Sequence, residues 1–200
     1  MRMNFKDAIK HRRSHYQLKN ESPVSDKELR SIIEHVLKHA PSSFNTQSAR
    51  VVLLLGDDHK RLWDITKDEL KKVSVSEEAY KQSEEKVNNS FSAGYGTILF
   101  FEDQAVIRNI QEVYPLYASQ FTKWSEHSSA IVQILTWLGL GDVGLGASLQ
   151  HYNPLIDEAV KKEWNLNEDW ELIAQMPFGT PVAEAAEKTY VPLEERLLVF

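Results

Sequence analysis

Leu29, Ile32, Ile33, Val36 and Leu37 fall three, four, seven and eight residues along from one another, the spacing that keeps one face of an α-helix apolar. Ser25 stands before them with Glu28 three residues on, the pattern of a capping box. Pro41 sets the end of this helix, because proline disfavours helical backbone at the residue before it. Two short runs are dense in aliphatic, β-branched or aromatic residues and predict buried strands, over 51–55 and 97–101. Further strands are predicted over 170–176 and over 144–149, the second entered through glycines. Helices are predicted over 5–13, 59–72, 77–90, 106–114, 125–140 and 154–163. The helix at 125–140 carries Ala130, Ile131, Ile134, Leu135 and Leu138, and an apolar surface this broad predicts a central, buried helix. The run Leu197-Leu198-Val199-Phe200 also calls for burial, against this chain or another.

Two hundred residues, 42% hydrophobic and 26% charged, suit a single α+β domain over 1–200 with a substantial core. No repeat, low-complexity tract or interdomain linker interrupts it. A net charge of −6, from 29 acidic and 23 basic residues, sets nucleic-acid partners aside. The absence of cysteine excludes disulfides, thiolate metal ligands, a cysteine nucleophile and an iron–sulfur cluster. It also fits a reducing compartment. The first residues lack the apolar core of a secretory leader, and no run approaches the roughly 20 apolar residues of a membrane helix. A cytoplasmic protein with no membrane partner is expected. The seven histidines are scattered, and none is joined with carboxylates at ligand spacing, so no metal site is expected. Gly139-x-Gly141-x-x-Gly144 spells the dinucleotide fingerprint, but it follows a helix and precedes a strand, the reverse of what that site requires. No G-x-S-x-G elbow supports a hydrolase triad.

Two constellations carry candidate chemistry. Arg12 and Arg13 offer planar forks that suit a phosphate, and Lys188 adds a mobile charge; a solvated surface cluster has the same composition. Ser42, Ser43, Asn45 and Gln47 follow Pro41 at the mouth of the strand at 51–55. Their neutral donors and acceptors suit the polar edge of a flat heterocycle, and a plain helix end with a polar loop reads the same way. Among the aromatic residues, Tyr117, Phe121 and Trp124 are placed to roof a pocket for a flat ligand.

In combination these segments are more specific. Arg12-Arg13-Ser14, followed by Pro41-Ser42-Ser43-x-Asn45-x-Gln47, resembles the FMN-dependent nitroreductase family. Trp124-Ser125-Glu126, residues 144–154 and residues 188–196 are similar to the branch of fungal fatty-acid-regulation nitroreductases and their bacterial counterparts. The resemblance covers essentially the whole chain. It implies a nitroreductase-like fold, with a central, mostly antiparallel sheet flanked by helices and a C-terminal strand exchanged in a homodimer.

The resemblance further implies FMN as cofactor, NADH or NADPH as donor, and ping-pong hydride transfer to nitroaromatic or quinone-type acceptors, small and flat. Arg12 and Ser14 fall on the phosphate and ribityl side, Lys188 on a further basic position, and Arg13 or Arg196 compensates for basic positions this chain lacks. Pro41, Ser42, Ser43, Asn45 and Gln47 pack against the flavin bound mainly by the other subunit, so the sites lie in the dimer interface. Leu149, Gln150 and His151 run beside the flavin's reactive edge, where His151 and Tyr152 depart from the family pattern and would alter substrate access. Tyr16 and Tyr190 stand where relatives often carry basic residues. No catalytic side chain is singled out, because the flavin carries the chemistry. The alternative on the same fold is a non-catalytic flavin-binding sensor or regulator. An eroded, purely structural dimer is opposed by the retention of Arg12, Ser14, Asn45 and Lys188.

Overall fold

A computed structural model describes residues 3–200. Its strands are β1 (Leu18–Lys19), β2 (Ala49–Leu55), β3 (Gly96–Asp103), β4 (Gly146–Ala147) and β5 (Trp170–Pro181). They form one sheet in the order β1-β5-β3-β2, with β4 also paired to β5, and every pairing is antiparallel. The central strand β3 is buried at all its positions. That explains why its sequence lacks a polar alternation, since both faces are covered.

Seven α-helices occur among the described residues: α1 (Phe5–His11), α2 (Asp26–His39), α3 (Gly56–Val73), α4 (Glu77–Lys86), α5 (Gln104–Val113), α6 (Ala118–Asp142) and α7 (Asp157–Glu163). On one face of the sheet, Leu29, Ile33 and Val36 of α2 and Val132 and Leu140 of α6 pack on Ile98, Phe100 and Met176. On the other, α3, α7 and the π-helical turn Val87–Phe91 bury Trp63, Val160 and Phe91 against Leu99, Phe101 and Leu172. Ser25 caps α2 as its sequence predicts, accepting from the Glu28 N–H. The helix stops at His39, with Ala40 already extended before Pro41. Gly139 and Gly141 lie inside α6, and Gly144 turns at φ +84° towards β4, so the glycine spacing builds a helix exit.

One expectation is overturned. Much of the predicted aliphatic surface of α6 is not its sheet face, although Val132, Leu135 and Leu140 do pack on the core. Ser125, Ser128, Ser129, Val132, Gln133, Thr136 and Leu140 face inward, whereas Ala130 is exposed, Ile131 and Leu138 are half-buried, and Ile134 is 40% exposed. Small hydroxyl side chains let the helix lie close on the sheet and turn its aliphatic ridge outward. Residues 197–200 are exposed as well, so a single protomer covers neither apolar surface.

Candidate functional site

Arg12 caps the C-terminus of α1. It opens into a cleft of about 560 Å³ lined by His11, Arg13, His15, Trp137 and Glu184 among others. The Arg12 guanidinium lies 4.5 Å from the centre of the Trp137 ring, a cation–π contact that fixes the fork. Burial and the neighbouring Arg13 lower its pKa, but a guanidinium remains charged in proteins. Arg13 donates to the Ala186 carbonyl. Ser14 bridges to Ala147 of β4, and the His15 N–H donates to the Ala147 carbonyl at 2.9 Å. Burial, ahead of all other effects, lowers the His15 pKa. Two guanidinium groups on a cleft of this size suit a phosphate monoester. Lys188 sits 5.5 Å over the ring of Tyr190 on the segment after β5, and Arg196 is exposed beyond it. Neither is among the residues lining this cleft.

The turn after α2 is strained. Phe44, Asn45 and Gln47 have φ of +54°, +54° and +49°, in the left-handed region that costs a non-glycine residue roughly 1 kcal/mol or more. Local bonds hold it there. The Gln47 N–H donates to Ser42 Oγ at 3.0 Å, and Arg50 donates to the Gln47 carbonyl at 2.9 Å. Asn45 and Gln47 are left exposed, while Ser42 and Ser43 are half-buried. Pro41, Ser42 and Gln47, with Ser128 of α6, line a separate small cleft of about 150 Å³.

These two candidate clusters do not converge within one protomer. Ser128 marks the turn's cleft and Trp137 the arginine cleft. The two residues are nine positions apart on α6, about 13 Å along the axis and half a revolution round it.

Leu149, Gln150 and His151 follow Ala147, the residue that bridges Ser14, but none of them lines the cleft of Arg12 and Arg13. Gln150 exchanges backbone hydrogen bonds with Gln175 of β5 at 2.7 and 2.9 Å. The fully buried Gln175 accepts from the Tyr152 N–H through Oε1 at 2.8 Å. His151 is exposed. The Tyr152 ring packs 6.0 Å from Trp63 and 6.2 Å from Phe91, so it belongs to the second core rather than to a substrate path. Tyr152 therefore departs from its expected role in substrate access.

The predicted aromatic cover does assemble, around a residue that sequence reasoning missed. Phe44, at the tip of the strained turn and 49% exposed, has its ring centre 4.8 Å from Tyr114, 5.9 Å from Tyr117, 5.3 Å from Phe121 and 6.0 Å from Trp124. No local signal pairs Phe44 with aromatics that lie so far along the chain. Glu102 and Gln175 were also missed. Each is a polar residue set in or closing an apolar strand run, which is the signal that could have found it. Ser48 Oγ lies 2.6 Å from Glu102 Oε2, and burial pushes the Glu102 carboxyl up to about 7.

Fold and site together define a protein with a basic cleft and a polar turn on an antiparallel sheet between helices. Residues 9–180 match the nitroreductase family, and the chain belongs to that family. It is 34% identical to the nitroreductase FRM2 of Saccharomyces cerevisiae over 190 residues, 94% of this chain and 93% of that one. The nitroreductase CinD from Lactococcus lactis, in complex with nicotinic acid, superposes with a TM-score of 0.91 at 42% identity, covering 98% of this chain and 100% of the other. Its complex with 4-nitrophenol gives 0.87 at 43% identity, with the same coverage. A protein from Desulfovibrio desulfuricans, solved with FMN, shares the fold at a TM-score of 0.70 and 22% identity, over 99% of this chain and 98% of that one. Family membership makes the chain an oxidoreductase of the nitroreductase type.

Proposed function

We propose that this chain is a homodimeric, FMN-dependent NAD(P)H oxidoreductase that reduces nitroaromatic or quinone-type acceptors at two sites in the dimer interface. One observation carries the reading: the basic cleft and the polar turn lie on opposite sides of α6, whose aliphatic ridge is uncovered. A second copy set on that ridge can bring the turn of one protomer to the cleft of the other. The exposed residues 197–200 then gain a partner surface, in keeping with an exchanged C-terminal strand.

Arg12 and Arg13 would bind the FMN phosphate as charge-assisted forks, with Ser14 beside them on the ribityl side. Lys188 and Arg196 would close over the phosphate from the segment after β5. Pro41, Ser42, Ser43, Asn45 and Gln47 of the partner would face the flavin's polar edge. The backbone of Leu149, Gln150 and His151, pinned by Gln175, would run along its reactive edge. Bound FMN supplies the capacity to take hydride from a nicotinamide and pass electrons to an acceptor. The protein's part is to orient the reactants and exclude water. Phe44, Tyr117 and Trp124 offer aromatic walls for a flat acceptor. The CinD complexes support this ligand class: 4-nitrophenol is a nitroaromatic, and nicotinic acid shares its pyridine ring with the nicotinamide donor. Among the described residues no helix is long and apolar enough to cross a membrane, and the cytoplasm is the setting this reading assigns.

Steady-state kinetics test it. With NADH or NADPH varied at several fixed concentrations of 4-nitrophenol or another nitroaromatic acceptor, double-reciprocal plots should give parallel lines, as donor and acceptor use one site in turn. Intersecting lines would contradict alternate occupancy. A flavin-loaded protein with no turnover would be a sensor.

A further inference from the structure

A carboxyl group lies beneath the turn where no step of the reaction needs one. Glu102, next to last in β3, is 1% exposed and shares the α6 side of the sheet with Ala49, its Cα partner on β2. Its Oε2 meets Ser48 Oγ at 2.6 Å, and its Oε1 has no partner among the described residues. The charged groups around it come from three strands. Arg50 of β2 is paired with Asp103 of β3 at 3.0 Å and donates to the carbonyls of Gln47 and Ala49. Glu171 of β5 lies opposite in the register. The sheet face of α6 carries Ser125, Ser128, Ser129 and Gln133 there and no titratable group. Arg50 is thus engaged elsewhere, and among the described residues no other cation is paired with Glu102.

In such a place a carboxylate is costly, with one oxygen bare and no ion pair of its own among the described residues. The neutral acid is far cheaper. Its Oε2–H donates to Ser48 Oγ, and the bare atom is an uncharged carbonyl oxygen. Desolvation accordingly pushes this group up to about 7; Ser48 and Arg50 oppose the shift, and Asp103 and Glu171 add to it. Ser48 is also the residue that ends the strained turn. Its carbonyl accepts from the Asp103 N–H at 3.0 Å, and its neighbour Gln47 is tied back to Ser42.

We propose that Glu102 is a positioning residue for the cofactor-binding turn: as a neutral acid it clasps Ser48 and fixes residues 42–47, and once ionised it favours a turn lifted far enough for water to reach the carboxylate, which weakens flavin binding. This rests on the reading of that turn as a wall of the flavin site.

The test is FMN affinity as a function of pH, from about pH 5.5 to about pH 8.5, by fluorescence quenching on the full chain and on Glu102→Gln and Ser48→Ala. The FMN phosphate and the groups around it are common to all three proteins, so the ratio of wild type to variant isolates Glu102. Wild type and Glu102→Gln should bind alike at the acid end. At the alkaline end wild type should be weaker by about threefold or more, half a pKa unit of linkage being about threefold. Ser48→Ala, with the clasp removed, should bind more weakly at every pH and lack the wild-type step. Parallel profiles for wild type and Glu102→Gln would overturn the proposal while leaving the flavin site standing. A wild-type chain that binds no FMN at any pH would overturn the flavin reading and the proposal with it.

Discussion

In the proposed flavin site, Arg12 is a single side chain prepared for its ligand. Stacked on Trp137 and half-buried, it has given up much of its rotamer freedom before any phosphate arrives, so less ordering is left for binding. Removing it together with Lys188 should cost two charge-assisted contacts. Arg12→Ala/Lys188→Ala should weaken FMN binding by about tenfold or more in a quenching titration, and unchanged affinity would remove the phosphate assignment. His59 makes a different point, about stability. Trp63 Nε1 donates to Thr97 Oγ1 at 3.0 Å, so the Thr97 hydroxyl is free to donate to His59 Nδ1, 2.9 Å away. His59 Nε2 faces the Ser92 carbonyl at 3.2 Å, which can only accept. A neutral ring with its proton on Nε2 satisfies both contacts, and burial, which lowers its pKa, favours that form. A histidine whose folded pKa lies below its unfolded value, about 6.5, stabilises fully above that value and loses the contribution as pH falls below it. The urea midpoint of the wild type should thus drop between about pH 7.5 and about pH 5.5 by more than that of His59→Gln. Equal drops would contradict this.

At the scale of elements, local rules served where the reason for an element was local. Ser25, Glu28 and Pro41 bound α2, and the β-branched and aromatic run of β3 marks the sheet's centre. The strand expected over 144–149 shortens to Gly146–Ala147, because the chain there also serves Ser14 and Gln150 as bridges. For the site, the two polar segments were legible as motifs, and the Phe44 cluster and the Glu102–Ser48 contact were not. Each of those joins residues more than fifty positions apart, where periodicity carries no signal. The reversed face of α6 is the most instructive miss. Periodicity reports that an aliphatic ridge needs cover but cannot tell a chain's own core from a neighbour's. In this helix the ridge of Ile131, Ile134 and Leu138 points away from the sheet. Ile134→Glu should therefore leave the protomer folded, with an unchanged circular dichroism spectrum, since the side chain is 40% exposed. Its dimer dissociation constant in sedimentation equilibrium should rise by roughly a hundredfold or more, as an unpaired charge would be buried at the contact. A dimer of normal affinity would show that the ridge is not the interface.

Across the whole molecule, the sheet and its two helical layers form the frame on which the proposed reading places two half-sites. The basic cleft is stitched to β4, and the polar turn is anchored on the end of β3. On the proposed reading no catalytic acid or base is asked of the chain; it supplies position, charge and dryness, and leaves the electron chemistry to a bound flavin. That division of labour is the central claim, and the visible absorption spectrum of the purified protein tests it most directly. Recorded anaerobically before and after NADH and NADPH, it should show flavin bands that bleach with at least one nicotinamide and return when a nitroaromatic is added. Bands that persist with both donors, or no flavin bands even after FMN is supplied, would contradict the account.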